Sequence, residues 1–118
     1  FTSLGQLRYL SALQFVDAAV GNSSSGLAEV PTFKIGTINI GDRQKGRMQA
    51  DSIINCIPIK KSIMEAFKEL YLKEFQDGLK NVHNPYGDGC ASKKIVKKLK
   101  KMKLNDVLKK SFYDVKNI

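Results

Sequence analysis

Short apolar runs in this chain alternate with longer segments whose apolar residues recur every three or four positions, the signature of strands separated by helices. Leu7, Leu10 and Leu13, joined by Tyr9, predict a first helix over residues 4–15, capped by Thr2 or Ser3. Residues 18–21, 37–40 and 52–56 predict three short strands, the second closed by Gly41-Asp42. Between the first two strands a short helix is expected from Ser25 until Pro31 interferes. Ile63, Phe67, Leu70, Tyr71 and Glu74 predict a longer helix over residues 60–75, opened by Pro58 and ended by Gly78.

The cluster Asn84-Pro85-Tyr86-Gly87-Asp88-Gly89 is dense in loop formers and predicts a rigid elbow. Past it, Ile95, Val96, Leu99 and Met102 repeat at helical spacing among Lys93, Lys94, Lys97, Lys98, Lys100, Lys101 and Lys103. That segment predicts an amphipathic helix with a wet lysine face, and residues 106–112 predict a short terminal helix. Strands alternating with helices make the fold class α/β, a parallel sheet joined by right-handed crossovers.

Composition changes this picture little. The 118 residues, 42% hydrophobic and 26% charged, suit one soluble globular unit at most. No apolar stretch approaches the roughly 20 residues a membrane span needs. The chain begins at Phe1 without an initiator methionine, so it is read as a piece of something longer. Cys56 and Cys90 have neither metal-ligand nor CxxC spacing, which fits a reducing cytoplasm and marks no metal site. The net charge of +9 sits mostly in the lysine segment, which lacks interleaved aromatics and base-reading side chains. No nucleic acid and no membrane are therefore expected as partners.

The candidate chemistry lies where strands end. Gly21-Asn22-Ser23-Ser24-Ser25-Gly26 follows a short apolar run and precedes a helical turn, an arrangement that offers backbone N–H groups and hydroxyls to phosphate. Glu29 comes one turn later, placed to accept hydrogen bonds from a sugar diol. The next strand leads into Asp42-Arg43-Gln44-Lys45-Gly46-Arg47, whose Arg43 and Arg47 are candidates for diphosphate neutralisation. In open parallel sheets ligands bind beyond the carboxyl ends of the strands, where both loops fall. His83, the only histidine, reads as a loop residue, and Asp42 and Asp88 as turn formers.

Three motifs taken together, residues 21–31 (GNSSSGLAEVP), 37–47 (TINIGDRQKGR) and 84–89 (NPYGDG) followed by Ala91 and Ser92, resemble the C-terminal end of UDP-N-acetylglucosamine 2-epimerases. The serine-rich and GDRQKGR forms resemble the hydrolysing, sialic-acid-pathway branch. The resemblance implies a Rossmann-like parallel sheet with flanking helices, the distal part of the C-terminal domain of a glycosyltransferase type B-like two-domain fold. It treats residues 1–118 as a single partial domain whose N-terminal companion is missing. It further implies that Ser23, Ser24, Ser25 and Gly26 hold the diphosphate of UDP, that Glu29 holds the ribose, and that Arg43 and Arg47 assist. The implied reaction eliminates UDP from UDP-N-acetylglucosamine and adds water to give N-acetylmannosamine, with catalytic acids and bases mainly outside this stretch and no cofactor. A UDP-diacetamido-trideoxy sugar of the legionaminic acid pathway is an alternative substrate, and a non-catalytic UDP-sugar-binding module an alternative role. The family's terminal helix crosses to the other domain, so without it an exposed apolar face leaves association into a homo-oligomer open.

Overall fold

The computed structural model describes residues 3–103. Its elements are α1 (Gly5–Ala12), β1 (Ala18–Gly21), α2 (Ser25–Ala28), a 3-10 turn (Val30–Phe33), β2 (Gly36–Ile40), β3 (Ile53–Cys56), α3 (Lys60–Leu70), α4 (Lys73–Leu79) and α5 (Ala91–Lys101). The three strands form one sheet in the order β1-β2-β3, parallel throughout. Ala19 pairs with Thr37 and Gly21 with Asn39 on one side, while Thr37 pairs with Ile53 and Asn39 with Asn55 on the other. The fold is α/β and Rossmann-like.

Alternation along the strands separates two faces. Ile38, Ile54 and Cys56 pack with Ala66 and Leu70 of α3, and Ile40, Ile63, Phe67 and Phe75 complete that core. Gly36 belongs to this face because a Cβ there would meet Leu70 Cδ1 at 2.3 Å. The opposite face carries Thr37, Asn39 and Asn55 and is approached by α2, whose Gly26 carbonyl accepts a 2.9 Å hydrogen bond from Thr37 Oγ1. Central β2 is thus covered on both faces, as parallel strands require.

Several elements depart from their sequence expectation. α1 is shorter at both ends than residues 4–15, and Leu7 is 80% exposed, so only Leu13 of its stripe is buried. The cap at Thr2 lies outside the described residues; Ser3 Oγ accepts from Gly5 N at 3.2 Å. α2 ends at Ala28, before Pro31, and the chain goes on into a 3-10 segment that carries Pro31 in its first turn, where a missing N–H costs nothing. The expected helix over residues 60–75 is two helices: Leu72 is extended, Tyr71 is exposed, and α4 restarts at Lys73 with Gly78 inside it. Leu70 and Phe75 both reach the core across this break, which a straight helix would not allow. The predicted helix over residues 106–112 lies outside the described residues.

The chain divides into two compact units, with the boundary between Asp88 and Gly89 inside the loop-forming cluster. The first holds the sheet. The second, among the described residues, is α5, with lysines on one side of its wheel and Ile95, Val96 and Leu99 half-exposed or more on the other. No described helix is long and apolar enough to cross a membrane.

Candidate functional site at the strand ends

The serine loop begins where β1 ends at Gly21 and turns directly into α2. Its hydroxyls form a short chain: Tyr9 Oη lies 2.9 Å from Ser25 Oγ, which donates at 3.2 Å to Ser23 Oγ. Ser23 Oγ also accepts from Ser25 N at 3.3 Å. Having accepted twice, Ser23 keeps its own proton for an outside acceptor. Ser24 is exposed and its hydroxyl has no partner among the described residues.

The backbone donors are divided. Gly26 N donates to Ser23 O at 3.2 Å, and Leu27 N and Ala28 N donate to Ser24 O at 3.1 and 3.0 Å. The turn therefore consumes the amides of Gly26 and Leu27 itself, and Ser25 N is taken by Ser23 Oγ. The N–H groups of Ser23 and Ser24 have no partner among the described residues. The expectation that the whole loop presents bare amides narrows to these two, because a helix starting at Ser25 closes its first turn onto the residues just before it. Gly26 is buried, and a Cβ at this position would meet Thr37 Cγ2 at 2.8 Å. Its place is against the sheet.

Glu29 closes α2, its N–H donating to Ser25 O at 2.9 Å. Its side chain is half-buried and unpaired among the described residues, and it lines an open cleft with Ser23 and Ser25. Ser3, Gln6 and Tyr9 form the other wall. A second, more apolar cleft of about 390 Å³ lies between α1 and β1, and Tyr9 borders both.

The loop after β2 is two tight turns between Gly41 and Gly46, both at positive φ. Lys45 N donates to Asp42 O at 2.8 Å and Arg47 N to Gln44 O at 3.2 Å. Arg43, Lys45 and Arg47 are exposed and form no ion pair among the described residues. They do not line the serine cleft. Gln44 between them points the other way: it is 2% exposed, and its Nε2 donates to Asn22 O at 2.7 Å. This bond joins the cation loop to the serine loop. Sequence reasoning passes over Gln44, a neutral residue between two cations in a loop without apolar periodicity.

Other polar groups support this end of the sheet. Asn39, 3% exposed, donates through Nδ2 to Asn55 Oδ1 at 2.8 Å, and Asn55 donates to Gln49 Oε1 at 2.7 Å. Asn84 of the loop-forming cluster donates to Ala28 O and to Thr32 Oγ1, both at 2.8 Å, and Lys34 Nζ donates to Val82 O. These bonds tie residues 82–84 to the segment after α2. Tyr86 Oη donates to Met48 O at 3.1 Å, beside the cation loop. His83 is exposed in this region, and no group of three or more His, Cys, Asp or Glu side chains suited to a metal exists among the described residues. Cys56 is buried in the core at the end of β3, and desolvation pushes its thiol above the ordinary range, so it is held in the neutral form.

Known proteins share this sequence pattern. The family described as UDP-N-acetylglucosamine 2-epimerase matches residues 1–100. A hydrolysing GDP/UDP-N,N'-diacetylbacillosamine 2-epimerase of Campylobacter jejuni is 45% identical over 116 residues, 98% of this chain and 30% of the relative. The polysialic acid biosynthesis protein P7 of Escherichia coli is 38% identical over 110 residues, 91% of this chain and 28% of the relative. A hydrolysing UDP-N,N'-diacetylbacillosamine 2-epimerase of Legionella pneumophila is 30% identical over 97 residues, 82% of this chain and 25% of the relative. The chain spans less than a third of the length of each of these relatives.

Proposed function

The chain belongs to the UDP-N-acetylglucosamine 2-epimerase family, and from that premise we propose that it forms the UDP-binding portion of a hydrolysing UDP-sugar 2-epimerase. The observation that carries this reading is the hydrogen bond from Gln44 Nε2 to Asn22 O, which brings a hydroxyl-rich loop and a cation-rich loop together beyond β1 and β2. Nucleotide diphosphates bind at this end of parallel sheets. The diphosphate is assigned to the free N–H groups of Ser23 and Ser24 and to their hydroxyls, with Ser25 and Gly26 shaping the turn. Glu29 takes the ribose hydroxyls. Arg43 and Arg47 supply positive charge around the leaving UDP, where neutralising a developing negative charge has catalytic as well as binding value.

The reaction proposed for the parent protein eliminates UDP across C1 and C2 of the sugar and adds water to the resulting glycal, giving the 2-epimer. Its acids and bases are placed in the two thirds or more of the relatives' length that this chain does not span. UDP-N-acetylglucosamine is the substrate proposed first. A second reading, a UDP-diacetamido-trideoxy sugar, is favoured by the names of the Campylobacter and Legionella relatives. UDP release by the parent protein from each sugar, assayed side by side, separates the two. Both readings place the chain in the cytoplasm, where nucleotide sugars are made.

The site itself is tested by calorimetric titration of UDP into this chain and into a Ser24→Trp, Glu29→Ala double variant. The variant should bind at least about tenfold more weakly, since a lost charge-assisted hydrogen bond costs about 1.5–3 kcal/mol. GDP serves as the comparison nucleotide. Equal binding of UDP by the two proteins would overturn the placement.

A further inference from the structure

The geometry points to Gln44 as a positioning residue that carries the guanidinium loop to the phosphate-facing loop, an inference that rests on the UDP-site reading above. Three features of this side chain lead there. It is 2% exposed although Arg43, Lys45 and Arg47 around it are in solvent, so the two turns of the loop send one side chain inward and the cations outward. Its Nε2 spans 22 residues of sequence to reach Asn22 O at 2.7 Å, the carbonyl immediately before Ser23. Its Oε1 is buried and has no partner among the described residues. Leaving a buried acceptor unpaired is unfavourable, and a methionine would occupy the same length of chain without that cost. A packing role alone would not call for an amide; a bond aimed at one carbonyl does.

That carbonyl matters because it shares a peptide plane with a phosphate-facing donor. Fixing Asn22 O sets the plane that ends in Ser23 N, one of the two amides without a partner among the described residues, so the same bond orients a donor of one loop and the direction of Arg43 and Arg47 in the other. Without it, the loops would reach the diphosphate independently, and each would bear its own ordering cost.

The test compares the 118-residue chain with Gln44→Met, which keeps length and apolar bulk but cannot donate, and with Lys45→Met as an exposed neighbour. Amide resonances are followed by 1H–15N spectroscopy, first alone and then during titration with UDP. Before UDP, Gln44→Met should shift Asn22, Ser23 and Ser24 while Ile38 and Leu70 stay in place; Lys45→Met should leave Asn22–Ser24 unmoved. During titration, UDP should perturb both loops of the unaltered chain, but only the serine loop of Gln44→Met, with affinity lower by about tenfold or more, the scale on which residues supporting a ligand's direct contacts act. Adding Arg43→Ala should weaken binding in the unaltered background and change nothing in the Gln44→Met background.

Unchanged UDP affinity in Gln44→Met with both loops still perturbed overturns the inference. If UDP perturbs neither loop of the unaltered chain, the UDP-site reading fails. The coupling of the two loops then stands or falls on whether Gln44→Met moves Asn22–Ser24. Should Gln44→Met not fold, Gln44→Asn, one methylene too short to reach Asn22 O, replaces it.

Discussion

At the scale of single residues, the site depends on side chains that decide how closely backbone segments approach. Gly26 lets α2 lie on β2, and Thr37 is held there by its bond to the Gly26 carbonyl. A Cβ at Gly26 would meet Thr37 Cγ2 at 2.8 Å, and Thr37 cannot rotate away without giving up that bond. Gly26→Ala is therefore expected to destabilise the chain by about 1–3 kcal/mol, the usual cost of overpacking. Urea unfolding should show a lower midpoint with an unchanged slope; an unchanged midpoint would mean that α2 does not rest on Thr37. Glu29 is the converse case, a half-buried carboxylate with no partner among the described residues, available to a ligand's hydroxyls.

At the scale of elements, the first two sequence motifs and Asn84 of the third are joined by hydrogen bonds around α2. The serine loop follows β1, the cation loop follows β2, and Asn84 brings in the third by donating to Ala28 O at the end of α2 and to Thr32 Oγ1. Asn84→Ala removes both bonds, together with the 2.9 Å bond that Asn84 Oδ1 accepts from Tyr86 N, and leaves a part-buried carbonyl without its partner, for an expected loss of about 1–2 kcal/mol. Amide exchange should quicken in residues 28–34 and not in β3. Faster exchange throughout the sheet would show instead that the loop supports the core. The opposite face holds the core. There α3 and α4 bury Leu70 and Phe75 against Gly36 and Ile38, and their break at Tyr71–Leu72 lets both side chains reach the same core.

At the scale of the molecule, the first unit carries the candidate site and the second is a lysine-rich helix, and the whole chain amounts to less than a third of its relatives' length. On the proposed reading the cations and hydroxyls of this chain hold a nucleotide, whereas elimination across a sugar ring also needs a base and an acid aimed at C2 and at the leaving oxygen. No turnover of UDP-N-acetylglucosamine is therefore expected from the 118 residues alone. A coupled assay for UDP release checks this, and release above background would place the acid and base within this chain.

The sequence by itself determined the three strands, since short apolar runs closed by Gly21, by Gly41 and by Ile57-Pro58 allow little else, and it determined the family through three motifs in register. It also placed Ser23, Ser24, Glu29, Arg43 and Arg47 at strand ends, because local chemistry marks turns and charge. Only the tertiary structure decided which serine amides are free, that Gly26 serves packing, that Leu7 and Tyr71 face solvent, and that the helix after β3 is broken. Nor did Gln44 announce itself. Periodicity and composition report a residue's neighbours along the chain, whereas the carbonyl that Gln44 meets is 22 positions away and comes within reach only once β1 and β2 have paired.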